Sequence, residues 1–203
     1  MALTRAIILA SGSAIRRQLL ASAGVPFAVH PANVDEGELR AQMLNESDCV
    51  VGAQIAGALA RAKALAVSRL MPDALVIGAD QVLALGTRLF DKPTDLVAAR
   101  DHLDRLRGQT HELVSAVVLV VNGQPVWGMA QAAQLTMRPF SDAFLDGYVA
   151  TAGDRICSCV GAYELEGLGL QLFERIEGDY FTILGLPLLP LLTELRARGA
   201  LPT

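Results

Sequence analysis

Ala74-Leu75-Val76-Ile77-Gly78-Ala79-Asp80-Gln81 is an apolar run that ends on a carboxylate. An unbroken apolar stretch of this length predicts a strand buried on both faces, inside a sheet covered by helices. Asp80 then stands at the strand's C-terminal end, where such sheets bind ligands. Burying a carboxylate is costly unless it meets a cation or accepts hydrogen bonds. The position therefore reads either as a working residue or as an ordinary turn or helix-cap aspartate.

Upstream, Ser47 is a candidate cap for a long helix reaching about Leu70, with an apolar stripe of Ile55, Leu59, Ala62, Ala66 and Leu70 and with Lys63 beside it. Ala6 to Ala10 predicts a first strand, Ser11-Gly12-Ser13 a loop, and Ile15, Leu19 and Leu20 one face of a helix capped by Ser13 and closed by Gly24 and Pro26. Phe27 to His30 predicts a second strand, followed by an acidic loop from Asn33 to Gly37. Downstream, a helix starts at Thr94 and stops at Gly108. Asn122-Gly123 then joins two strands in a hairpin, and Ser141 caps a helix through Val149. A strand near Leu170 to Arg175, a turn at Glu177-Gly178-Asp179, another strand and a helix opening at Pro187 complete the expectation. Crossover helices combined with a hairpin predict an α/β fold with a mixed twisted sheet and flanking helices.

The 203 residues fit a single domain. Although 52% are hydrophobic, the runs Leu113–Val121 and Leu184–Leu192 fall short of the roughly 20 residues a membrane helix needs, and Pro187 and Pro190 interrupt the second. No cleavable leader is legible, so a soluble cytoplasmic protein without a membrane partner is expected. The net charge of −4 argues against a nucleic-acid partner. Cys49, Cys157 and Cys159 are expected as reduced thiols, since the Cys157-Ser158-Cys159 spacing suits neither a disulfide nor a four-ligand zinc site. His30, His102 and His111 have no metal-ligand spacing and are read as structural.

Ser11, Ser13, Arg16 and Arg17 combine hydroxyls, guanidinium groups and a helix N-terminus into a cradle for an anion, with phosphate the natural guest. An N-cap followed by surface arginines is the plainer alternative. The Gly-Lys-Ser/Thr ending of a Walker loop is absent. Asp35 or Glu36 could join Asp80 around Mg²⁺, which takes one or two carboxylates plus substrate phosphates, or could be a solvated acidic loop. Lys63 and Lys92 are the chain's two lysines. Pro93 holds Lys92 in extended backbone, where it can point at phosphate or simply at solvent.

In order along the chain, Ser11-Gly-Ser-Ala-Ile-Arg-Arg, Val34-Asp35-Glu36, Ala62-Lys63-Ala64, Gly78-Ala79-Asp80-Gln81, Lys92-Pro93, Gly161-Ala162-Tyr163 and Gly185-Leu186-Pro187 resemble the Maf family of nucleotide pyrophosphatases. Each motif is weak alone, but the ordered set spans nearly the whole chain. The resemblance implies a deep cleft, a fold related to inosine-triphosphate pyrophosphatases, and divalent-metal-dependent (Mg or Mn) cleavage of a nucleoside triphosphate to a monophosphate and pyrophosphate. It implies Asp80 as general base and metal ligand, and Glu36 as an acidic residue at the metal. Ser11, Ser13, Arg16, Lys63 and Lys92 match its phosphate-facing positions. Ile15, Gln81 and Glu166 fall at base-choosing positions. Members that cut 7-methyl-GTP look like Trp, Gln and Glu there, and those that favour dTTP and UTP look like Arg, Thr and Gln. Ile15 departs from both, as Ala14 departs from the usual Pro and Asp91 from the usual Gly. A homodimer is compatible with the resemblance, and a nucleotide-sensing or septum-regulating module without turnover is the alternative function.

Overall fold

The structure, a computed structural model, describes residues 5–46 and 52–202. Ser47 as a helix cap and Cys49 lie outside the described residues. Strand β1 (Ile7–Leu9) enters helix α1 (Ala14–Ser22), where the Ser13 side chain accepts from the Arg16 amide as the N-cap. The chain continues through β2 (Phe27–Val29), α2 (Glu36–Glu46), α3 (Gly52–Leu70), β3 (Leu75–Leu85), β4 (Arg88–Phe90) and α4 (Leu96–Leu106). The hairpin of β5 (Thr110–Val121) and β6 (Gln124–Met137) turns at Asn122 and Gly123, both with positive φ, as a tight primed turn demands. Helix α5 (Asp142–Ala152), strand β7 (Phe173–Glu177), the short α6 (Tyr180–Ile183) and α7 (Leu188–Ala197) follow.

The strands form one mixed sheet in the order β2-β1-β3-β5-β6-β7, with β4 on the same edge of β3 as β1. Strands β2, β1 and β3 are parallel, and the remaining pairings are antiparallel. Along one edge β3 pairs with β1 over Leu75–Ile77 and with β4 over Leu83–Leu85. Among the described residues, 78–82 between them have no strand neighbour on that side, and the gap opens beside Asp80.

Five expectations need correction, the first being the strand expected near Leu170 to Arg175, which runs instead over Phe173–Glu177 after a 3-10 turn at Leu168–Leu172. Asp80 is not at a strand end: β3 continues to Leu85, because β5 pairs with it from Val76 to Ala84. What ends near Asp80 is the short parallel pairing with β1. Glu36 lies not in a loop but at the first turn of α2, where Asp35 accepts from the Glu38 amide and so acts as a helix cap. The buried stripe of α3 runs through Ile55, Leu59, Ala60, Lys63, Ala64 and Val67, so Lys63 is within it and Leu70 is outside it. After the turn at Gly178 the chain forms α6 rather than a strand. Asp179 caps it by accepting from the Thr182 amide.

Alternation along β3 organises the site. Val76, Gly78, Asp80 and Val82 share one face, and Ile77, Ala79 and Gln81 the other. Gly78 lets α3 lie directly on the sheet, since a Cβ there would sit 2.1 Å from the Ala60 carbonyl oxygen. That close approach brings Lys63 of α3 over Asp80.

Candidate active site

A cavity of about 560 Å³ opens at the gap in the β3 edge, a size that suits a nucleotide-sized ligand. Asp80 and Lys63 form its floor. The Lys63 ammonium lies 2.5 Å from Asp80 Oδ1 and 2.8 Å from Glu36 Oε1, bridging two carboxylates from different elements. Asp80 and Lys63 are buried, with relative exposures of 5% and 8%. Burial of Asp80 and Lys63 is tolerable because each meets an opposite charge, while the Glu36 side chain, 46% exposed, stays hydrated. The second oxygens of Asp80 and Glu36 have no hydrogen-bond partner among the described residues.

The β1–α1 loop supplies another wall through Ser11, Ser13, Ile15 and Arg16. Arg16 is held firmly: its Nε donates to the Gly185 carbonyl at 2.8 Å, and one terminal nitrogen donates to Ala79 O at 3.0 Å and Ser11 Oγ at 3.2 Å. The bond to Ala79 satisfies a carbonyl on the open strand edge, a duty the sequence did not reveal. Burial lowers the Arg16 pKa, opposed by the charges of Asp80 and Glu36, and a guanidinium stays protonated regardless. Its other terminal nitrogen has no bond among the described residues and can still reach an anion.

Gln81 faces away from Asp80. Its amide nitrogen lies 2.9 Å from Ile183 O, 3.1 Å from Ser115 Oγ and 3.2 Å from Thr182 O, its two hydrogens shared among the three acceptors. With the nitrogen consumed by these partners, the side-chain oxygen is left as an acceptor for whatever the cleft holds.

The outer walls carry Lys92 and Glu166, both exposed side chains lining the cleft. Among the described residues Lys92 makes no ion pair or hydrogen bond. Ser11, Ser13, Ile15, Arg16, Glu36, Lys63, Asp80, Gln81, Lys92 and Glu166 thus face one cavity, whereas Arg17 and Asp35, also singled out from sequence, are exposed and do not line it. Several others that share it were not anticipated, among them Arg40, Cys159, Tyr163 and Glu164. Only Tyr163 had a signal, in Gly161-Ala162-Tyr163: a Cβ on Gly161 would meet the Tyr163 ring at 2.2 Å, and Ala162 has a positive φ of 57°. The departure at Asp91 is accommodated by an ion pair with Arg40. Cys157 and Cys159 are free thiols, and burial, with Glu164 and Glu166 nearby, pushes Cys159 up.

Behind the cleft wall the Tyr163 hydroxyl meets His111 Nε2 at 2.7 Å. Burial pushes His111 down to about 4. An unfolded histidine titrates near 6.5, so the fold favours the neutral ring. This contribution is complete above about pH 6.5 and is lost as pH falls toward about 4, by up to about 3 kcal/mol. Urea unfolding of the wild type between about pH 7.5 and pH 4.5 should show that loss, and His111→Gln should remove most of it. Equal pH dependence in both proteins would refute the assignment.

A sequence profile described as "Maf-like protein" matches residues 6–198. The chain is 51% identical over 195 residues to a 7-methyl-GTP pyrophosphatase of Rhizobium meliloti (strain 1021), covering 96% of this chain and 97% of that protein. It is 51% identical to a nucleoside triphosphate pyrophosphatase of Hyphomonas neptunium, covering 98% of each. With one of the same description from Paramagnetospirillum magneticum the identity is 52%, over 96% of this chain and 99% of the other.

Proposed function

Since the chain belongs to the Maf-like protein family, we propose that it hydrolyses nucleoside triphosphates between the α- and β-phosphates, releasing a nucleoside monophosphate and pyrophosphate. The observation that carries this reading is the Glu36–Lys63–Asp80 triad on the floor of a cleft whose walls bear Ser11, Ser13, Arg16 and Lys92. Carboxylates on one side and spare donors on the other suit water activation beside a polyphosphate.

Asp80 orients a water through its second oxygen and takes its proton as that water attacks the α-phosphorus. Lys63 keeps Asp80 and Glu36 in place and, with Arg16 and Lys92, offsets negative charge gathering on the departing pyrophosphate. The Ser11 and Ser13 hydroxyls and the start of α1 donate to phosphate oxygens. No covalent intermediate is required. Glu36 and Asp80, whose first oxygens both meet the Lys63 ammonium, keep their second oxygens as hard donors of the kind Mg²⁺ or Mn²⁺ takes, and they would hold such an ion. No group of three or more His, Cys, Asp or Glu gathers at one point among the described residues, so substrate oxygens would complete such a coordination shell. When bound, the ion would polarise the phosphoryl group.

Base choice rests on Gln81, Glu166 and Ile15. The fixed acceptor on Gln81 and the carboxylate of Glu166 suit a base rich in N–H donors, such as guanine, and a cationic 7-methylated guanine gains further from Glu166. Ile15 offers an apolar surface but no aromatic stack for that cation. A pyrophosphate-release screen over ordinary and methylated triphosphates with Mg²⁺ or Mn²⁺ should find turnover, with 7-methyl-GTP preferred to UTP. Glu166→Gln should narrow that preference by about tenfold, the scale of one charge-assisted hydrogen bond. Pyrimidine preference would overturn the role of Glu166. Tight triphosphate binding without product under either metal would favour a sensing module instead.

A further inference from the structure

We propose that Arg40 is a further substrate-binding residue, a guanidinium for the terminal phosphates that Asp91 holds at the cleft mouth until substrate displaces it. This rests on the reading that a nucleoside triphosphate occupies the cleft. Glu36 and Arg40 are four residues apart on α2, hence on one helix face. Both line the cavity. Glu36 meets Lys63 beside Asp80, so Arg40 stands about one helical turn, roughly 5.4 Å, farther along the same wall. Gln81 points to the opposite face of β3, which puts Arg40 on the phosphate side of the strand and away from the acceptor offered to the base.

The opposite wall at that point is the segment between β4 and α4, carrying Asp91 and Lys92. Arg40 pairs with Asp91 there. The two partners differ sharply in environment, the Arg40 side chain being 17% exposed and that of Asp91 76%. A carboxylate so well hydrated is a weak partner. Meanwhile Arg40 Nε is buried and has no hydrogen-bond partner among the described residues, an N–H left unsatisfied at some cost. A phosphate group suits the fork of a guanidinium better than one exposed carboxylate oxygen, because it can accept from Nε and a terminal nitrogen together. Lys92, without an ion pair among the described residues and adjacent in sequence to Asp91, would face the same phosphates. Asp91 therefore keeps Arg40 turned toward the cleft in the free protein and returns to water when the triphosphate arrives.

The test compares the wild type with Arg40→Ala, Arg40→Lys and Asp91→Asn, using inorganic pyrophosphate and the nucleoside monophosphate separately as product inhibitors. Arg40→Ala should weaken pyrophosphate inhibition by about tenfold or more and raise KM more than it lowers kcat, with monophosphate inhibition unchanged. Arg40→Lys should recover part of the loss, since it restores a point charge without the fork. Asp91→Asn should tighten pyrophosphate inhibition, because Arg40 no longer has a competing carboxylate. Unchanged pyrophosphate inhibition in Arg40→Ala would overturn the proposal. So would an Asp91→Asn variant that weakens pyrophosphate as much as Arg40→Ala does, because the pair would then be a brace between α2 and the opposite wall. Failure of the wild type to release pyrophosphate would instead strike the parent reading.

Discussion

Asp80→Asn is expected to lower kcat by at least about 10²-fold, within the range a positioned general base contributes, while the protein stays folded. The amide is the same size as the carboxylate but cannot take a proton from water. Lys63 retains Glu36 at 2.8 Å as a charge partner, so the substitution does not strand a buried ammonium, which would cost several kcal/mol. The thermal midpoint should therefore stay within about 4 °C of the wild type, the shift that about 1 kcal/mol gives in a chain of this size. A folded Asp80→Asn protein with wild-type kcat would remove Asp80 from the chemistry. KM should change less than kcat, because the lost interaction belongs to the transition state.

Gly78→Ala should damage both stability and turnover although it touches no substrate. The new Cβ would lie 2.1 Å from Ala60 O, 2.8 Å from Ala64 Cβ and 2.9 Å from Ala64 N. Two of these atoms are backbone in α3, so the helix must move away from the sheet rather than a side chain rotate. Overpacking of this kind costs about 3 kcal/mol. The same displacement lifts Lys63 off Asp80, and a misplacement of about 1 Å can cost about 10²-fold in rate. Gly57 supplies the control, since it lies in the same helix and a Cβ there meets nothing within 4 Å. Gly57→Ala should stabilise the protein by about 0.5–1 kcal/mol through helix propensity alone. Unfolding midpoints in urea, with kcat for both variants, decide the matter. An unaltered Gly78→Ala protein would mean that α3 is not held on the sheet by that contact.

Local chemistry made much of this architecture legible. Ser13 and Ser141 cap their helices through a side-chain oxygen and an amide three residues on, and Asn122-Gly123 turns a hairpin by its own backbone preference. Such signals lie within a few residues of sequence. The course of β3 beyond Asp80 does not, because it depends on pairing with β5, whose Ala116 stands opposite Asp80 from far along the chain. Helix α2 escaped notice because its apolar pattern is weak and its start depends on Asp35 folding back on the Glu38 amide. For the site, residue types foretold which side chains share a cleft but not what holds them. Arg16 is committed to Gly185 and Ala79, Gln81 to Thr182 and Ile183, and Asp91 to Arg40, and each partner comes from a distant segment.

In the proposed reaction water attacks the α-phosphorus beside Asp80. Hydrolysis of a nucleoside triphosphate in ¹⁸O-labelled water, followed by mass spectrometry of both products, tests it most directly. One labelled oxygen is expected in the nucleoside monophosphate and none in the pyrophosphate. Label in the pyrophosphate, or release of a nucleoside diphosphate with orthophosphate, would contradict it.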